Sequence, residues 1–250
     1  MPDTVDPALV HAADRLRQAQ RVAVLTGAGV SAESGVATFR GSGGLWEGYR
    51  IEEVATPSAF ERDPSLVWRF YNMRRTQLWT VKPNAGHVAL AQMEQRWGSD
   101  RFTVITQNVD GLHRAAGSRH VLELHGNLTR VRCTGCGHIE ERPNEDLPAL
   151  PHCDDCRAIL RPDIVWFHEM LPEDVWQEAA LATGECDCFL VVGTSAVVYP
   201  AAGLIDAARA VGATVMEINL EATPATRPGT IALRGKSGEI LPRLLELVQH

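Results

Sequence analysis

The chain has 250 residues, 45% of them hydrophobic, and a formal net charge of −7. That is enough apolar material for a substantial core, in one large domain or in a large and a small one. The acidic balance excludes nucleic acid as the main partner, because phosphate backbones are held by basic surfaces; it is compatible with cationic substrates such as lysine-bearing proteins.

The opening Met-Pro-Asp-Thr-Val-Asp has neither the basic nor the apolar region of a signal peptide. The uncharged run Cys188 to Ile205 reaches membrane-span length but is broken by Gly193-Thr194-Ser195 and Pro200. The expectation is a cytoplasmic protein with no membrane partner, and a monomer. Leu9, Val10, Ala13 and Leu16 then recur at helical spacing, predicting an amphipathic helix over 8–19.

Val22-Ala23-Val24-Leu25 reads as a buried strand opening into a glycine-rich loop, residues 26–41. Gly27-x-Gly29-x-x-Ala32 fits the loose dinucleotide fingerprint, in which small residues let backbone N–H groups approach a pyrophosphate. On its own such a turn is often only a turn. Ser31, Glu33, Ser34, Thr38 and Arg40 add more polar chemistry than a connector needs.

Residues 42–86 are rich in Trp, Tyr and Arg, with a helical pattern around Pro64–Trp79. Tyr71 and Arg74, three apart, share a face of that helix. Arg offers a fork for a carboxylate and Tyr a hydroxyl beside it. The alternative is a solvated helix with core aromatics, and Arg69 and Arg75 are expected at the surface.

The strand-like run Phe102–Thr106 leads directly into Gln107-Asn108-Val109-Asp110-Gly111-Leu112-His113, and Val121–Leu124 leads into His125. Carboxyl ends of parallel strands are where ligands sit, so these amides and the carboxylate suit ribose hydroxyls or an amide. A strand-end histidine serves as general base or as a structural residue with equal ease.

Cys133-x-x-Cys136 and Cys153-x-x-Cys156 have the spacing of a tetrahedral zinc site on two knuckles, with Gly135 and Gly137 at the first turn. Four thiolates leave no open position, so the metal is structural, and His138 and His152 are bystanders. An iron–sulfur cluster is the lesser alternative. Arg130 to Arg161 mixes arginines with carboxylates and has no aromatic residue to stack on a base, which argues against a nucleic-acid-binding ribbon. Cys186 and Cys188 read as small buried hydrophobes.

Runs at Phe189–Val192, Thr214–Ile218 and Thr230–Leu233, with a helical stretch at Ala201–Ala210, continue the strand–helix alternation. Their ends repeat the polar pattern in Gly193-Thr194-Ser195 and Asn219-Leu220-Glu221. No acidic residue stands on a strand about twenty positions after the glycine loop, which disfavours an ordinary dehydrogenase. The expected fold is α/β: a Rossmann-like parallel sheet domain from 1–41, 87–125 and 163–250. A smaller domain is made of a helical insertion, 42–86, and a zinc-ribbon insertion, 126–162.

Taken together, the glycine loop, Thr106–His113, His125-Gly126, the cysteine knuckles, Val165-Trp166-Phe167, Gly193–Ser195 and Asn219–Glu221 resemble the sirtuin family of NAD-dependent protein deacylases, in the family's order from about Arg21 to Leu245. Ala37 departs from the proline of many members. The resemblance implies transfer of an acyl group from lysine to ADP-ribose with release of nicotinamide, with NAD as co-substrate and one structural Zn2+ per chain. It implies that His125 is the general base, that Asn108 and Asp110 hold nicotinamide and its ribose, and that Gln107 and Val109 lie beside them. Gly27, Ala28, Gly29, Ser31, Glu33, Thr38, Phe39, Arg40 and Trp46 would line the cofactor loop. Gly193, Thr194 and Ser195 would contact phosphate and ribose; Asn219, Leu220 and Glu221 the adenosine ribose; Ser237 the adenine side. Val165, Trp166 and Phe167 would form an edge that pairs with the substrate backbone. Tyr71, Arg74 and Ala55 resemble the subgroup that removes succinyl, malonyl and related acidic groups, implying a preference for these over acetyl. A plain deacetylase, a mono-ADP-ribosyltransferase and a non-enzymatic NAD or zinc module are the alternatives.

Overall fold

The computed structural model describes residues 6–37, 45–46 and 48–249. In chain order the elements are α1 (Pro7–Gln18), β1 (Val22–Thr26), β2 (Leu45–Trp46), β3 (Tyr49–Arg50), α2 (Ile51–Val54), α3 (Pro57–Arg62), α4 (Pro64–Leu78), α5 (Ala85–Trp97), β4 (Phe102–Thr106), α6 (Leu112–Ala115) and β5 (Val121–Glu123). They continue with β6 (Gly126–Cys133), β7 (Ile139–Glu141), β8 (Leu160–Ile164), α7 (Glu173–Gly184), β9 (Cys188–Val192), α8 (Gly203–Ala210), β10 (Thr214–Asn219), β11 (Ile231–Arg234) and α9 (Ser237–Gln249). None of the described helices is long and apolar enough to cross a membrane.

Six strands form one parallel sheet in the order β11-β10-β9-β1-β4-β5. This is the doubly wound Rossmann order, and the winding reverses between β1 and β9. Alternation along each strand divides the apolar side chains between two faces. Val22, Val24, Phe102, Val104, Leu190 and Met216 pack with α1, α5 and α9 on one face. Ala23, Leu25, Ile105, Phe189, Val191 and Val215 pack with α7 and α8 on the other. The strands are buried on both sides, which is why they read as continuous apolar runs.

The helices α2, α3 and α4 and the antiparallel sheet β7-β6-β8 share a separate core around Trp68, Phe70, Tyr71, Val131, Leu160 and Trp166. Proline opens α4, and Asp63 accepts the Leu66 N–H at 2.9 Å, satisfying a donor the first turn leaves over. Arg75 lies inside this core and not at the surface. Its guanidinium donates to the carbonyls of Leu128 and Arg142, so α4 holds strand β6 and the chain after β7. Where the two cores meet, Glu123 at the end of β5 pairs with Arg130, and Asp163 in β8 pairs with Arg130 and Arg132 at 2.7–2.9 Å.

At the reversal point the loops after β1 and β9 touch backbone to backbone. Gly29 N–H donates to Gly193 O at 2.7 Å. A Cβ on Gly29 would lie 2.6 Å from that oxygen, and one on Gly193, whose φ is +58°, would lie 2.4 Å from Val30 N. Gly29→Ala is therefore expected to cost about 1–3 kcal/mol by forcing the two loops apart; a lowered urea midpoint with unchanged slope is the measurement, and a midpoint equal to the parent's would refute the contact.

Candidate active site

The reversal point gathers five strand ends, those of β1, β4, β5, β9 and β10. Asn108, just past β4, donates from Nδ2 to Gly27 O and to Ser31 Oγ, both at 3.1 Å. Gln107 donates from Nε2 to Thr194 Oγ1 at 3.0 Å, and Asn219 from Nδ2 to Thr194 O at 2.7 Å. His125 follows β5, with Nδ1 3.0 Å from Gln107 O. A carbonyl only accepts, so Nδ1 carries the hydrogen and Nε2 keeps its lone pair. Burial lowers the His125 pKa, against the opposing effect of the Gln107 hydrogen bond. The result is a half-buried neutral imidazole one residue removed from the amide that holds the glycine turn.

Asp110 accepts from Ser31 Oγ at 2.7 Å and from Leu112 N–H at 3.0 Å. Burial raises its pKa, while those two bonds and the Arg74 charge pull the other way. Beneath Ser31 lies a pair of histidines that sequence reasoning did not assign. His87 accepts the Asn84 N–H on Nδ1 at 3.3 Å, so its Nε2 hydrogen faces Ser31 Oγ, also at 3.3 Å. Ser31 thus accepts from His87 and Asn108 and must spend its own hydrogen on Asp110. His113 sits 2.9 Å from Thr26 Oγ1, with its ring centroid 4.8 Å from that of His87. His113 stands in the Gln107–His113 motif; His87 has only its place in a helix-capping Asn-Ala-Gly-His to mark it.

Glu33 accepts the Gly238 N–H at 2.7 Å and lies 3.5 Å from Ser237 Oγ. The cofactor loop is thereby tied to the amino end of α9, where a carboxylate meets the positive end of the helix dipole. Ser195, Leu220 and Glu221 stand on the rim beside Thr194 and Asn219, half-buried or exposed. The loop bearing Glu221 is organised by Glu217, a fully buried carboxylate within a strand that reads as apolar. It accepts from Thr223, Thr226 and, at 3.0 Å, Arg234. Thr38, Phe39 and Arg40 lie outside the described residues, as does the side chain of Trp46. The close-set glycines, the rim of amides and hydroxyls and the helix amino end suit a dinucleotide.

Ala55, Tyr71, Trp166 and Phe167 come together against α4. Phe167 N–H donates to Ala55 O at 3.0 Å, and Trp166 Nε1 to the Tyr71 hydroxyl at 2.9 Å. Arg74 lies on the same wall, its guanidinium carbon 5.9 Å from the Phe70 centroid, and its charge acts on both Tyr71 and Asp110. Burial pushes the Tyr71 phenol up to about 12 despite that cation, so it is a neutral donor. Val165, Trp166 and Phe167 follow β8 outside the strand. Their N–H groups are taken by His125 O, Glu169 and Ala55 O, and Trp166 O accepts the Glu169 N–H at 3.1 Å.

The sulfurs of Cys133, Cys136, Cys153 and Cys156 lie within 4.8 Å of one another. The pairs Cys133–Cys156 and Cys136–Cys153 stand at 3.3 and 3.8 Å. Sulfurs about 2.3 Å from a tetrahedral zinc are about 3.8 Å apart, so the cluster fits a closed, structural zinc site. Cys186 and Cys188 are buried, and burial raises both thiols to about 12.

A family model described as the Sir2 family matches residues 27–200. An NAD-dependent protein deacylase 2 of Pyrobaculum aerophilum is 50% identical over 243 residues, covering 96% of each chain. The NAD-dependent protein deacylase sirtuin-5, mitochondrial, of Xenopus tropicalis is 44% identical over 90% of this chain and 81% of its own. A solved complex of a Sir2 homolog with NAD superimposes with a TM-score of 0.89 at 44% identity, covering 98% of this chain and 94% of the other.

Burial holds His87 near 4, and burial together with the neighbouring imidazole holds His113 near 3. The unfolded chain takes up a proton on each below about 6.5. Stability is therefore complete above that pH and is lost as the pH falls toward 4, by up to about 3 kcal/mol for each imidazole. His113→Asn should make the fall between pH 6.5 and 4.5 shallower by about 2 kcal/mol. Urea unfolding across that range measures it, and an unchanged slope would show that His113 is protonated in the fold.

Proposed function

The chain belongs to the Sir2 family and is an NAD-dependent protein deacylase, and we propose that acidic acyl groups, succinyl and malonyl, are its preferred cargo on lysine. What supports this reading is the Tyr71–Arg74 wall. A fully buried neutral hydroxyl stands in the field of a guanidinium, next to the small Ala55. An acyl carboxylate would meet a cation and a hydrogen-bond donor together, where acetyl offers neither of them an acceptor.

NAD supplies the electrophilic ribose carbon and the nicotinamide leaving group. The chain's own residues do the rest. Asn108 and Asp110, fixed through Ser31, hold the nicotinamide end, and Thr194 and Asn219 hold the phosphate and adenosine side. His125 Nε2 takes the proton of a ribose hydroxyl once the acyl oxygen has attacked, a task suited to an imidazole that is neutral at working pH.

Matched acetylated, malonylated and succinylated peptides competing for the enzyme with NAD test the preference directly; acetyl turnover equal to or above the others would overturn it. Arg74→Met is expected to lower the succinyl-to-acetyl ratio of kcat/KM by about one to two decades, the worth of a charge-assisted bond in a dry site. A base must be neutral to act, and burial lowers the His125 pKa. The acid limb of kcat/KM should thus lie below about pH 6.5, the ordinary imidazole value; a limb above it would exclude His125 as the titrating group.

A further inference from the structure

In sequence, Trp166 marks a backbone edge; in the fold, its side chain is part of the acyl wall. The indole is 3% exposed and packs against Phe60 and Tyr71, with ring centroids 5.3 and 6.4 Å away. Its Nε1–H donates to the Tyr71 hydroxyl oxygen at 2.9 Å. The Arg161 guanidinium lies over the indole, 3.6 Å from the ring centroid. That guanidinium is held by both oxygens of Glu169, at 2.7 and 2.8 Å, and by Ile164 O at 2.9 Å. Glu169 also accepts the backbone N–H of Trp166 at 2.8 Å. One carboxylate therefore ties down the indole's backbone and the cation stacked upon it.

A hydroxyl that accepts from an indole N–H cannot turn its own hydrogen toward that N–H. Tyr71 is completely buried, and among the described residues no acceptor meets its hydrogen. A buried donor left without an acceptor is costly until a ligand supplies one. The Arg74 charge beside the phenol makes an anion the fitting ligand.

We infer that Trp166 is a specificity-determining positioning residue: its indole N–H, held in place by the Arg161–Glu169 bracket, directs the Tyr71 hydroxyl hydrogen at the carboxylate of an acidic acyl group. The inference rests on the acidic-acyl reading given above. Trp166 need not touch the acyl group. It restricts which way the hydroxyl donates, and so bears on acidic acyl chains more than on neutral ones.

The test is steady-state kinetics on matched succinylated and acetylated peptides at saturating NAD. The variants are Trp166→Phe, which keeps an aromatic ring and deletes the donor, Tyr71→Phe, the two combined, Glu169→Gln, and Arg74→Met. Trp166→Phe is expected to lower the succinyl-to-acetyl ratio of kcat/KM about 3- to 10-fold, the worth of one neutral hydrogen bond, mainly through KM for the succinylated peptide. Tyr71→Phe should add nothing further to that ratio in the Trp166→Phe background. Glu169→Gln, remote from the acyl group, should lower the ratio in the same direction by a smaller factor. An unchanged ratio in Trp166→Phe, or a double variant whose loss is the product of the two single losses, overturns the inference. Should Trp166→Phe lose activity on both peptides, the Glu169→Gln ratio decides, and an unchanged value overturns it. Arg74→Met separates the two readings: if it lowers the ratio and Trp166→Phe does not, only the role of Trp166 fails. If Arg74→Met leaves the ratio unchanged, the acidic-acyl reading fails and carries this inference with it.

Discussion

The contact between Gly29 and Gly193 sets the dimensions of everything around it. The two loops leave adjacent strands at the point where the sheet reverses its winding, and they close to 2.7 Å between N–H and carbonyl. No side chain fits on either residue. With backbones this close, amides from neighbouring strand ends can reach across: Asn108 to Gly27, Gln107 to Thr194, Asn219 to Thr194. His125 then hangs from the Gln107 carbonyl. The His125 imidazole is thus placed by a chain of contacts that begins at two glycines and includes no side chain longer than glutamine.

Charge is managed in this site by keeping it out. His87, His113 and His125 all have lowered pKa values because burial disfavours their cations, and the Asp110 carboxyl is raised for the same reason. Backbone partners fix the tautomers of His87 and His125, and that is useful. His87 fixes Ser31 and Ser31 fixes Asp110, so these groups are oriented and do not rotate. Stability in acid is what this arrangement gives up. Buried polar networks of this kind hold a single geometry because every alternative leaves a donor or acceptor unmatched.

Much of this was legible from residue order. Apolar runs of four or five residues bounded by glycine or polar clusters point to the parallel sheet, since strands buried on both faces have no alternation to hide. The knuckle spacing fixed the metal site, and strand-end amides pointed to the crevice. What escaped was pairing between residues far apart in the chain. Arg75 is an arginine on a helix of mixed polarity, and nothing local says that its partners are carbonyls of a ribbon some fifty residues later. Glu217 looks like an interruption in an apolar strand until Thr223, Thr226 and Arg234 close on it. Trp166 drew notice for its backbone, whereas its N–H serves Tyr71, 95 positions earlier. Hydrophobic period reports which face is buried; it does not report what a buried polar atom will bond.

Helix α4 joins the cysteine ribbon to the wall that carries Tyr71 and Trp166. Trp68 donates to Leu160 O at 2.7 Å and Asn72 to Leu147 O at 3.1 Å, while Arg75 holds the carbonyls of Leu128 and Arg142. Tyr71 and Arg74 lie on the same helix. Strands β6 and β8 pack Leu128, Val131, Leu160 and Ile164 into the core that α4 shares, and four thiolates around a zinc would add a cross-link between the two knuckles at their ends. A closed tetrahedral site has no coordination position for substrate and takes no part in the chemistry. What the ribbon does share with the rest of the fold is α4, which is anchored on it at Leu128, Leu147 and Leu160 and carries Tyr71 and Arg74.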